Sequence, residues 1–340
     1  MFTHPYFTTL SAAAKSATAL HNRRGGSGAS SHSALRRILT LIAAVGLVWG
    51  LSACNRDSAT VAGGGSVTFA LSTQTNPFFV QLREGAEEKA DELGVALNIQ
   101  DASDDSAVQT NQLNNAATMG THVVIVNPTD SDAVVPAVKT LNAASIPVIA
   151  VDRTANGGEL ASFIASDNVA GGKQAAEVLA HAIAGEGEIV VLQGIAGSSA
   201  SRDRGLGFEQ GIAQFPNIRV IAKQTANFDR AAGLDVATNL LQAHPGVKAI
   251  FAENDEMALG AIEALGSRAG TEVMVIGFDG TADGLHAIRE GRMFASIAQQ
   301  PKQLGARAVE EAAKILKGEK PQKEVPVDVI TVTKENVADF

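Results

Sequence analysis

Six apolar runs in this chain each end in one polar side chain that can make hydrogen bonds. The runs have the length and apolar content of buried strands, and each is followed by Pro, Gly or a helix-like segment. They end at Asn127, Asp152, Gln193, Asn254, Asp279 and Gln299. In an open parallel α/β sheet, ligands bind in the crevice outside the carboxyl ends of the strands. The pattern therefore predicts a crevice that binds a ligand rich in hydroxyl groups.

Residues 1–53 have the composition of an export leader. They hold five basic residues and no acidic one, with an apolar run over 38–48 and then Leu51-Ser52-Ala53-Cys54. This order predicts a secretory signal peptide, and the apolar run is too short for a transmembrane helix. The last four residues resemble a bacterial lipobox, whose cysteine is lipidated and becomes the first mature residue. We therefore expect an exported protein, periplasmic or in the cell envelope, anchored through Cys54.

Two alternatives for the leader stay open. The first is an ordinary signal peptide in which the cysteine occurs by chance. The second is a translation start downstream of Met1, because more than thirty residues precede the apolar run. Cys54 is the single cysteine, so no internal disulfide can form.

The charge of the chain argues against nucleic acid as a partner. The formal net charge is −9. The leader carries five positive charges and no negative one, so residues 54–340 carry −14. A body this acidic repels phosphate backbones.

Strand-like and helix-like segments alternate from residue 67 onward, which is typical of a parallel sheet with helices on both faces. Two such series join near residue 166, so we predict two doubly wound α/β domains. The last helix (303–317) and last strand (327–332) could belong to either. The predicted strands are 67–72, 96–100, 122–127, 147–152, 163–166, 188–193, 219–224, 249–253, 273–279 and 295–299.

Several polar residues near the predicted crevice also have a purely structural explanation. Asn76, before Pro77 and two Phe, could simply cap a helix, as could Asn254 at the end of its strand. Asp152 and Arg153 could form a structural ion pair, and Arg204 could be a solvated surface residue. Each signal is weak alone, whereas their shared position favours a binding site.

Signatures of common enzymes are missing from the sequence. No G-x-G-x-x-G follows a strand, no phosphate-binding G-x-x-x-x-G-K-[ST] occurs, and the Ser-rich stretch at 197–201 lacks the final Gly of a nucleophile elbow. The four histidines of residues 54–340 show no metal-ligand spacing. Asp152 and Asp279 as a general acid and base are a remote alternative. We expect no catalysis, no metal and no cofactor.

Seven sequence blocks carry a specific resemblance to a known family. They are NPFF at Asn76, NPTDSDAV at Asn127, DR at Asp152, IASDNVAGGK at Ile164, LQGIAGSSASRDRG at Leu192, NDEMALGA at Asn254 and GFDGT at Gly277. In this order and spacing they resemble the D-ribose-binding members of the type I periplasmic sugar-binding family, from about residue 67 to 332. The resemblance implies two Rossmann-like domains, joined by three crossing strands, that close on a sugar.

The chain divides into five predicted parts. The composition predicts a signal peptide with a lipobox (1–53) and a tether (54–66). The resemblance assigns 67–166 with 300–328 to an N-terminal lobe, and 167–299 with 329–335 to a C-terminal lobe. A short tail (336–340) departs from the family pattern.

Sugar-contacting positions of the family all fall on matching residue types here. The resemblance implies polar contacts from both lobes and apolar walls of Phe on either side of the sugar. The polar positions are Asn76, Asp152, Arg153, Arg204, Asn254, Asp279 and Gln299. The apolar positions are Phe78, Phe79, Phe228 and Phe278.

The resemblance further implies a monomer that captures D-ribose and delivers it to an ABC permease in the inner membrane. Allose, xylose or galactose are alternative ligands. A sensor that presents bound sugar to a chemoreceptor is an alternative role. A transcriptional repressor with this fold would carry a helix-turn-helix where this chain has its leader.

Overall fold

Two six-stranded sheets organise the protein, which is described here from a computed structural model covering residues 65–340. The predicted leader and Cys54 lie outside the described residues. Helices cover both faces of each sheet, so the prediction of two doubly wound α/β domains is confirmed. Among residues 65–340, no helix is both long enough and apolar enough to cross a membrane.

All strands of the first sheet run parallel. They are β1 (Ser66–Leu71), β2 (Ala96–Asp101), β3 (Val123–Val126), β4 (Val148–Val151), β5 (Ser162–Ser166) and β11 (Glu324–Val327). Their spatial order is β11-β5-β4-β3-β1-β2. The order reverses direction between β1 and β3, which is the switch point where such sheets open a crevice.

Four helices complete the first lobe. They are α1 (Pro77–Leu93), α2 (Ser106–Thr118), α3 (Val135–Ala143) and α9 (Pro301–Leu316). The apolar cluster on one face of the sheet draws on α1 and α9, and the cluster on the other face draws on α2 and α3. In α1, Phe79, Leu82 and Ala86 recur at helical spacing and are buried. Burial of one such large side chain contributes about 1.5–3 kcal/mol, so this face docks the helix.

The second sheet has five parallel strands and one antiparallel edge strand. Its strands are β6 (Gly187–Gln193), β7 (Ile218–Thr225), β8 (Ala249–Ala252), β9 (Met274–Asp279), β10 (Ala295–Ala298) and β12 (Ile330–Thr333). Their order is β12-β10-β9-β8-β6-β7. The helices of this lobe are α4 (Asn168–Ala182), α5 (Ser199–Ile212), α6 (Arg230–Ala243), α7 (Asp255–Leu265) and α8 (Ala282–Arg289).

The single strand predicted over 327–332 is wrong, because the structure divides this stretch. Strand β11 pairs with β5 in the first sheet, and β12 pairs with β10 in the second. Between them the chain crosses from one lobe to the other. Strand β12 begins at this crossing, on the carboxyl edge of the second sheet, and runs away from that edge. Because β10 runs toward the same edge, β12 is antiparallel to β10. Two further crossings follow β5 and β10.

Helices α4 and α5 approach each other closely because glycines line their contact. A Cβ on Gly172 would lie 2.2 Å from the carbonyl oxygen of Arg204, and a Cβ on Gly207 would lie 2.1 Å from that of Val169. Any side chain at these positions would force the helices apart. This contact fixes the height of α5, and with it Arg204, relative to the sheet.

Candidate functional site

A small cavity lies between the carboxyl edges of the two sheets. The structure brings ten of the eleven predicted residues to its wall. They are Asn76, Phe78, Phe79, Asp152, Arg153, Arg204, Phe228, Asn254, Asp279 and Gln299, joined by Ala200.

Asp152 lies immediately after β4 with its carboxylate turned into the cavity. Its φ is +64°, in the left-handed region that non-glycine residues rarely adopt. Strain of this kind is commonly retained at binding sites. The side-chain amide of Asn127 donates to Asp152 Oδ2 over 3.1 Å. Burial raises the pKa of Asp152, and the charges of Arg153 and Arg204 oppose the rise.

Asp279 takes the equivalent place at the end of β9 in the second lobe. Its φ of +119° is again strained. The amide of Gln299 donates to Asp279 Oδ1 over 2.7 Å, and Arg204 Nη1 lies 3.4 Å from the same oxygen. Burial raises the pKa of Asp279 to about 8, while the charge of Arg204 acts against the rise. Carboxylates from both lobes thus face one enclosed space.

Arg153 spans the first-lobe side of the cavity. Its Nη1 donates to the carbonyl of Pro128 over 3.1 Å, while its buried Nε has no hydrogen-bond partner. The guanidinium lies 5.1 Å from the centre of the Phe79 ring and 3.6 Å from Asp152 Oδ2. Burial lowers the pKa of Arg153, although a guanidinium stays charged in proteins. The structure therefore leaves a charged donor at the cavity wall.

Arg204 is held from three directions. Its Nε donates to Asn168 Oδ1 over 2.9 Å, its Nη1 donates to the carbonyl of Glu253 over 2.6 Å, and it faces Asp279. The guanidinium also lies 3.9 Å from the centre of the Phe278 ring. Such cation–π contact stabilises a desolvated charge by roughly 2 kcal/mol.

Phe278, the eleventh predicted residue, does not line the cavity. Its side chain is fully buried in the core of the second lobe, on the far side of the Arg204 guanidinium. The ring of Phe278 therefore supports the Arg204 guanidinium. Its predicted role as an apolar wall stays a prediction.

Three other aromatic rings do line the cavity. Phe78 and Phe79 stand edge to face with ring centres 5.1 Å apart. Both begin α1 and both reach the cavity. Phe228 lies on the other lobe, in the loop after β7, with a φ of +60°. These rings offer the apolar surface that the C–H faces of a sugar ring need.

Both predicted asparagines cap helices and still border the cavity. Asn76 Oδ1 accepts from the N–H of Phe78, and Asn254 Oδ1 accepts from the N–H of Met257. The amide nitrogen of Asn254 also donates to the carbonyl of Phe228 over 3.1 Å. The capping explanation is therefore correct for each, and it fixes the direction in which the amide nitrogen can donate.

One acceptor at the cavity has no partner within the described chain. Gln299 donates to Asp279 through its amide nitrogen, whereas its buried Oε1 accepts no hydrogen bond. A buried polar atom without a partner costs about 1–3 kcal/mol. Gln299 Oε1 thus offers an acceptor that a polar ligand would satisfy, and Arg153 Nε is a buried donor that is paired with Asp152 Oδ2 at 3.6 Å but makes no hydrogen bond.

Two aspartates and two arginines line the cavity, so its formal charges balance when both carboxyls are ionised. An ionised ligand would upset this balance in a desolvated space, which is costly. The arrangement therefore fits a small neutral molecule with several hydroxyl groups. In residues 65–340, no group of three or more His, Cys, Asp or Glu is placed to hold a metal ion.

The lobes touch directly beside the cavity through a rim contact formed by Ser131, Thr154, Gly197 and Ser199. The N–H of Ser131 donates to the carbonyl of Gly197 over 2.9 Å. Ser199 receives a bond from the N–H of Thr154 at its Oγ, over 2.9 Å, and donates its own N–H to Ser131 Oγ over 3.3 Å. The described state of the cleft is thus a closed one.

Two of the six polar strand ends do not reach the cavity. Asn127 lies beneath it and bonds Ser72 and Asp152, and Gln193 is absent from the lining. One buried residue at the site was missed entirely: Glu253, which precedes Asn254 and bonds Ser201. Its only sequence signal is a carboxylate directly after an apolar run.

Comparison with known proteins gives a consistent result. The family described as "Periplasmic binding protein domain" matches residues 67–320. The ribose import binding protein RbsB of Escherichia coli (strain K12) is 48% identical over 302 residues, covering 88% of this chain and 99% of the relative. The protein of the same name from Bacillus subtilis is 43% identical over 260 residues, covering 76% and 84% respectively.

A solved structure shares the fold. It is an ABC transporter periplasmic solute binding protein from Actinobacillus succinogenes with bound D-allose. It has a TM-score of 0.77 and 31% identity, covering 81% of this chain and all of that chain. Its likeness extends over both lobes.

Proposed function

Because the chain belongs to the periplasmic binding protein family, we propose that it is the substrate-binding component of an ABC sugar importer. In this proposal it captures D-ribose between its two lobes and delivers the sugar to a membrane permease. The choice of ribose rests on the relatives that are 43–48% identical and are named for ribose import. The protein binds its sugar without transforming it.

One observation carries the proposal: a single enclosed cavity collects ten of the eleven residues that the family resemblance implies. These residues come from both lobes and from segments between Asn76 and Gln299. Chance would not bring so many scattered positions to the wall of one cavity. The balanced charge and the unpartnered polar atoms further support a neutral, hydroxyl-rich ligand.

Each wall of the cavity has a chemical role in this proposal. Asp152 and Asp279 accept hydrogen bonds from sugar hydroxyls, and the arginines donate to hydroxyl and ring oxygens. Charge-assisted bonds of this type contribute roughly 1.5–3 kcal/mol each. The rings of Phe78, Phe79 and Phe228 cover the apolar faces of the sugar, and the amides of Asn76, Asn254 and Gln299 complete the set of polar partners.

Selectivity follows from burial. A sugar that lacks one hydroxyl, or presents it in another direction, leaves a buried partner without its bond. We therefore expect strong discrimination among monosaccharides. D-Allose, bound by the neighbour of known structure, is the alternative ligand, followed by xylose and galactose.

Delivery depends on the closing of the lobes. Because contacts come from both lobes, the closed state binds sugar more tightly than an open state, and the sugar shifts the equilibrium toward closure. Hinge closure around a ligand is the general motion of this class of protein. A permease that recognises the closed shape would then receive loaded protein in preference to empty protein.

The location of the protein follows from the leader and the family. We propose that the mature protein is exported and works in the periplasm or cell envelope as a monomer. The Leu-Ser-Ala-Cys sequence supports a lipid anchor on Cys54, which would keep the protein near its permease. Presentation of the bound sugar to a chemoreceptor is compatible with the same closed shape.

A combined binding and shape measurement tests this function. We expect D-ribose to bind the purified mature protein at one site in titration calorimetry. In small-angle scattering it should lower the radius of gyration, because the lobes close. An Arg153→Ala variant supplies the matched control, since it should show neither effect. Absence of binding by D-ribose and the other monosaccharides would overturn the proposal.

A further inference from the structure

A fully buried carboxylate lies directly behind the second-lobe wall of the cavity. Glu253 follows β8, precedes Asn254 and has no exposed surface. Its Oε2 accepts from the N–H of Gly194 over 2.8 Å and from the hydroxyl of Ser201. Its other oxygen, Oε1, has no hydrogen-bond partner. Glu253 does not line the cavity, so it is not a sugar contact.

The partners of Glu253 each support a cavity residue. Ser201 precedes Arg204 by three positions on α5, which places both on one face of the helix. Arg204 itself donates to the backbone carbonyl of Glu253 over 2.6 Å. The third partner, Gly194, is in contact with the Phe228 ring, since a Cβ there would lie 2.1 Å from the ring. The Glu253 carboxylate therefore bonds to the helix turn that carries Arg204 and to the glycine beside the Phe228 ring, while its backbone carbonyl accepts from Arg204 itself.

The charges around Glu253 come from three elements. Arg204 faces it from α5, and Lys223 acts on it from β7 while paired with Glu209. Arg204 also forms an ion pair with Asp279, the last residue of β9. Burial raises the pKa of Glu253 to about 7, and the bonds from Gly194 and Ser201 and the two cations oppose the rise. The carboxyl thus changes charge near neutral pH.

We propose that Glu253 is a positioning residue that holds Arg204 and Phe228 in the geometry that binds sugar, and that its ionised form does so best. The reason is that hydrogen bonds to a carboxylate are about twice as strong as those to a neutral oxygen. The proposal rests on the sugar-binding function above and extends it to a residue outside the cavity.

Three variants test the proposal by titration calorimetry with D-ribose. Glu253→Ala leaves the N–H of Gly194 without an acceptor and should weaken binding about tenfold. Glu253→Gln keeps a neutral acceptor and should recover most of that loss. Glu311→Ala is the matched control, because Glu311 is also a buried acidic residue with bonds from a backbone N–H and a lysine, but it lies in α9 away from the cavity. It should bind D-ribose normally.

The pH dependence separates positioning from general destabilisation. At about pH 8 the wild-type carboxyl is mostly ionised, and at about pH 6 mostly protonated. At about pH 8 the dissociation constant for D-ribose should therefore be about threefold higher for Glu253→Gln than for the wild type. At about pH 6 the two proteins should bind D-ribose almost equally.

Two results would overturn the inference while leaving the sugar-binding function intact. One is a folded Glu253→Ala protein that binds D-ribose as tightly as the wild type. The other is a ratio between Glu253→Gln and wild type that is the same at both pH values. If the wild type itself binds no monosaccharide, both the function and the inference fall.

Discussion

The guanidinium of Arg153 lies 5.5 Å from the centre of the Phe228 ring. Arg153 follows a strand of the first lobe, and Phe228 lies in a loop of the second, so the two lobes meet through this pair. Both residues also line the cavity. The contact therefore belongs to the closed state of the cleft, and opening of the lobes must separate the pair.

Removal of either charged partner at the cavity should abolish most of the affinity. Arg153→Ala and Asp279→Ala each delete a charge-assisted bond to the sugar and leave an opposite charge buried without a partner. We expect a loss of at least about thirtyfold in D-ribose affinity by titration calorimetry, and a lower unfolding temperature because the remaining charge stays buried. Arg268→Ala is the control, because Arg268 lies on the surface with Glu272. Normal binding by both cavity variants would refute the assignment of the crevice.

The rim contact should contribute to closure without touching the sugar. Ser199→Ala removes the acceptor for the N–H of Thr154, which stabilises the closed state only. We expect D-ribose affinity to fall about two- to tenfold, since a net hydrogen bond is worth about 0.5–1.5 kcal/mol. Ser198→Ala is a matched control, because the neighbouring hydroxyl is also buried and has no partner. Equal affinities for the two variants would show that the rim contact is not energetically important.

Acidic pH should stabilise the ligand-free protein through Asp255. Burial raises the pKa of Asp255 to about 6, above the value of about 4 in an unfolded chain. The folded state therefore binds a proton more tightly, so this contribution to stability is fully present below about pH 4 and is lost as pH rises through about 6.

Thermal unfolding at several pH values measures this effect. The unfolding temperature should fall between about pH 4 and pH 6, and Asp255→Asn should reduce the slope. The expected direction is the same for Glu253 and Asp279, whose pKa values are also raised. A slope unchanged in Asp255→Asn would remove Asp255 from the explanation.

The lipid anchor predicts a specific fractionation result. In cells, the wild-type protein should sediment with membranes and enter a detergent phase, because a lipid on Cys54 would hold it there. Cys54→Ser should appear in the soluble envelope fraction, with unchanged affinity for D-ribose. Membrane retention of Cys54→Ser, in the absence of the permease, would contradict the anchor.

The sequence pattern located the right edge of each sheet and only part of the site. Asp152, Asn254, Asp279 and Gln299 end strands and do line the cavity. Asn127 ends a strand too, but its amide is bound by Ser72 and Asp152. Alternation of apolar runs cannot distinguish a polar side chain that faces a ligand from one that supports its neighbour.

Other cavity residues could not follow from strand ends at all. Arg204 projects from a helix, and Phe228 owes its direction to a strained loop with positive φ. The family resemblance named both, because it compares whole blocks of sequence. It did not show that Phe278 lies behind Arg204, or that Glu253 joins two supports of the wall. These depend on burial, which only the folded chain reveals.

The most direct test of the central claim is titration calorimetry of the purified mature protein with a panel of monosaccharides. We predict that D-ribose binds at one site and at least about tenfold more tightly than xylose, arabinose, allose or galactose, since each competitor misplaces or adds a group in a closed cavity. Tighter binding of another sugar would contradict the ribose assignment, and binding of none would contradict the sugar-binding function itself.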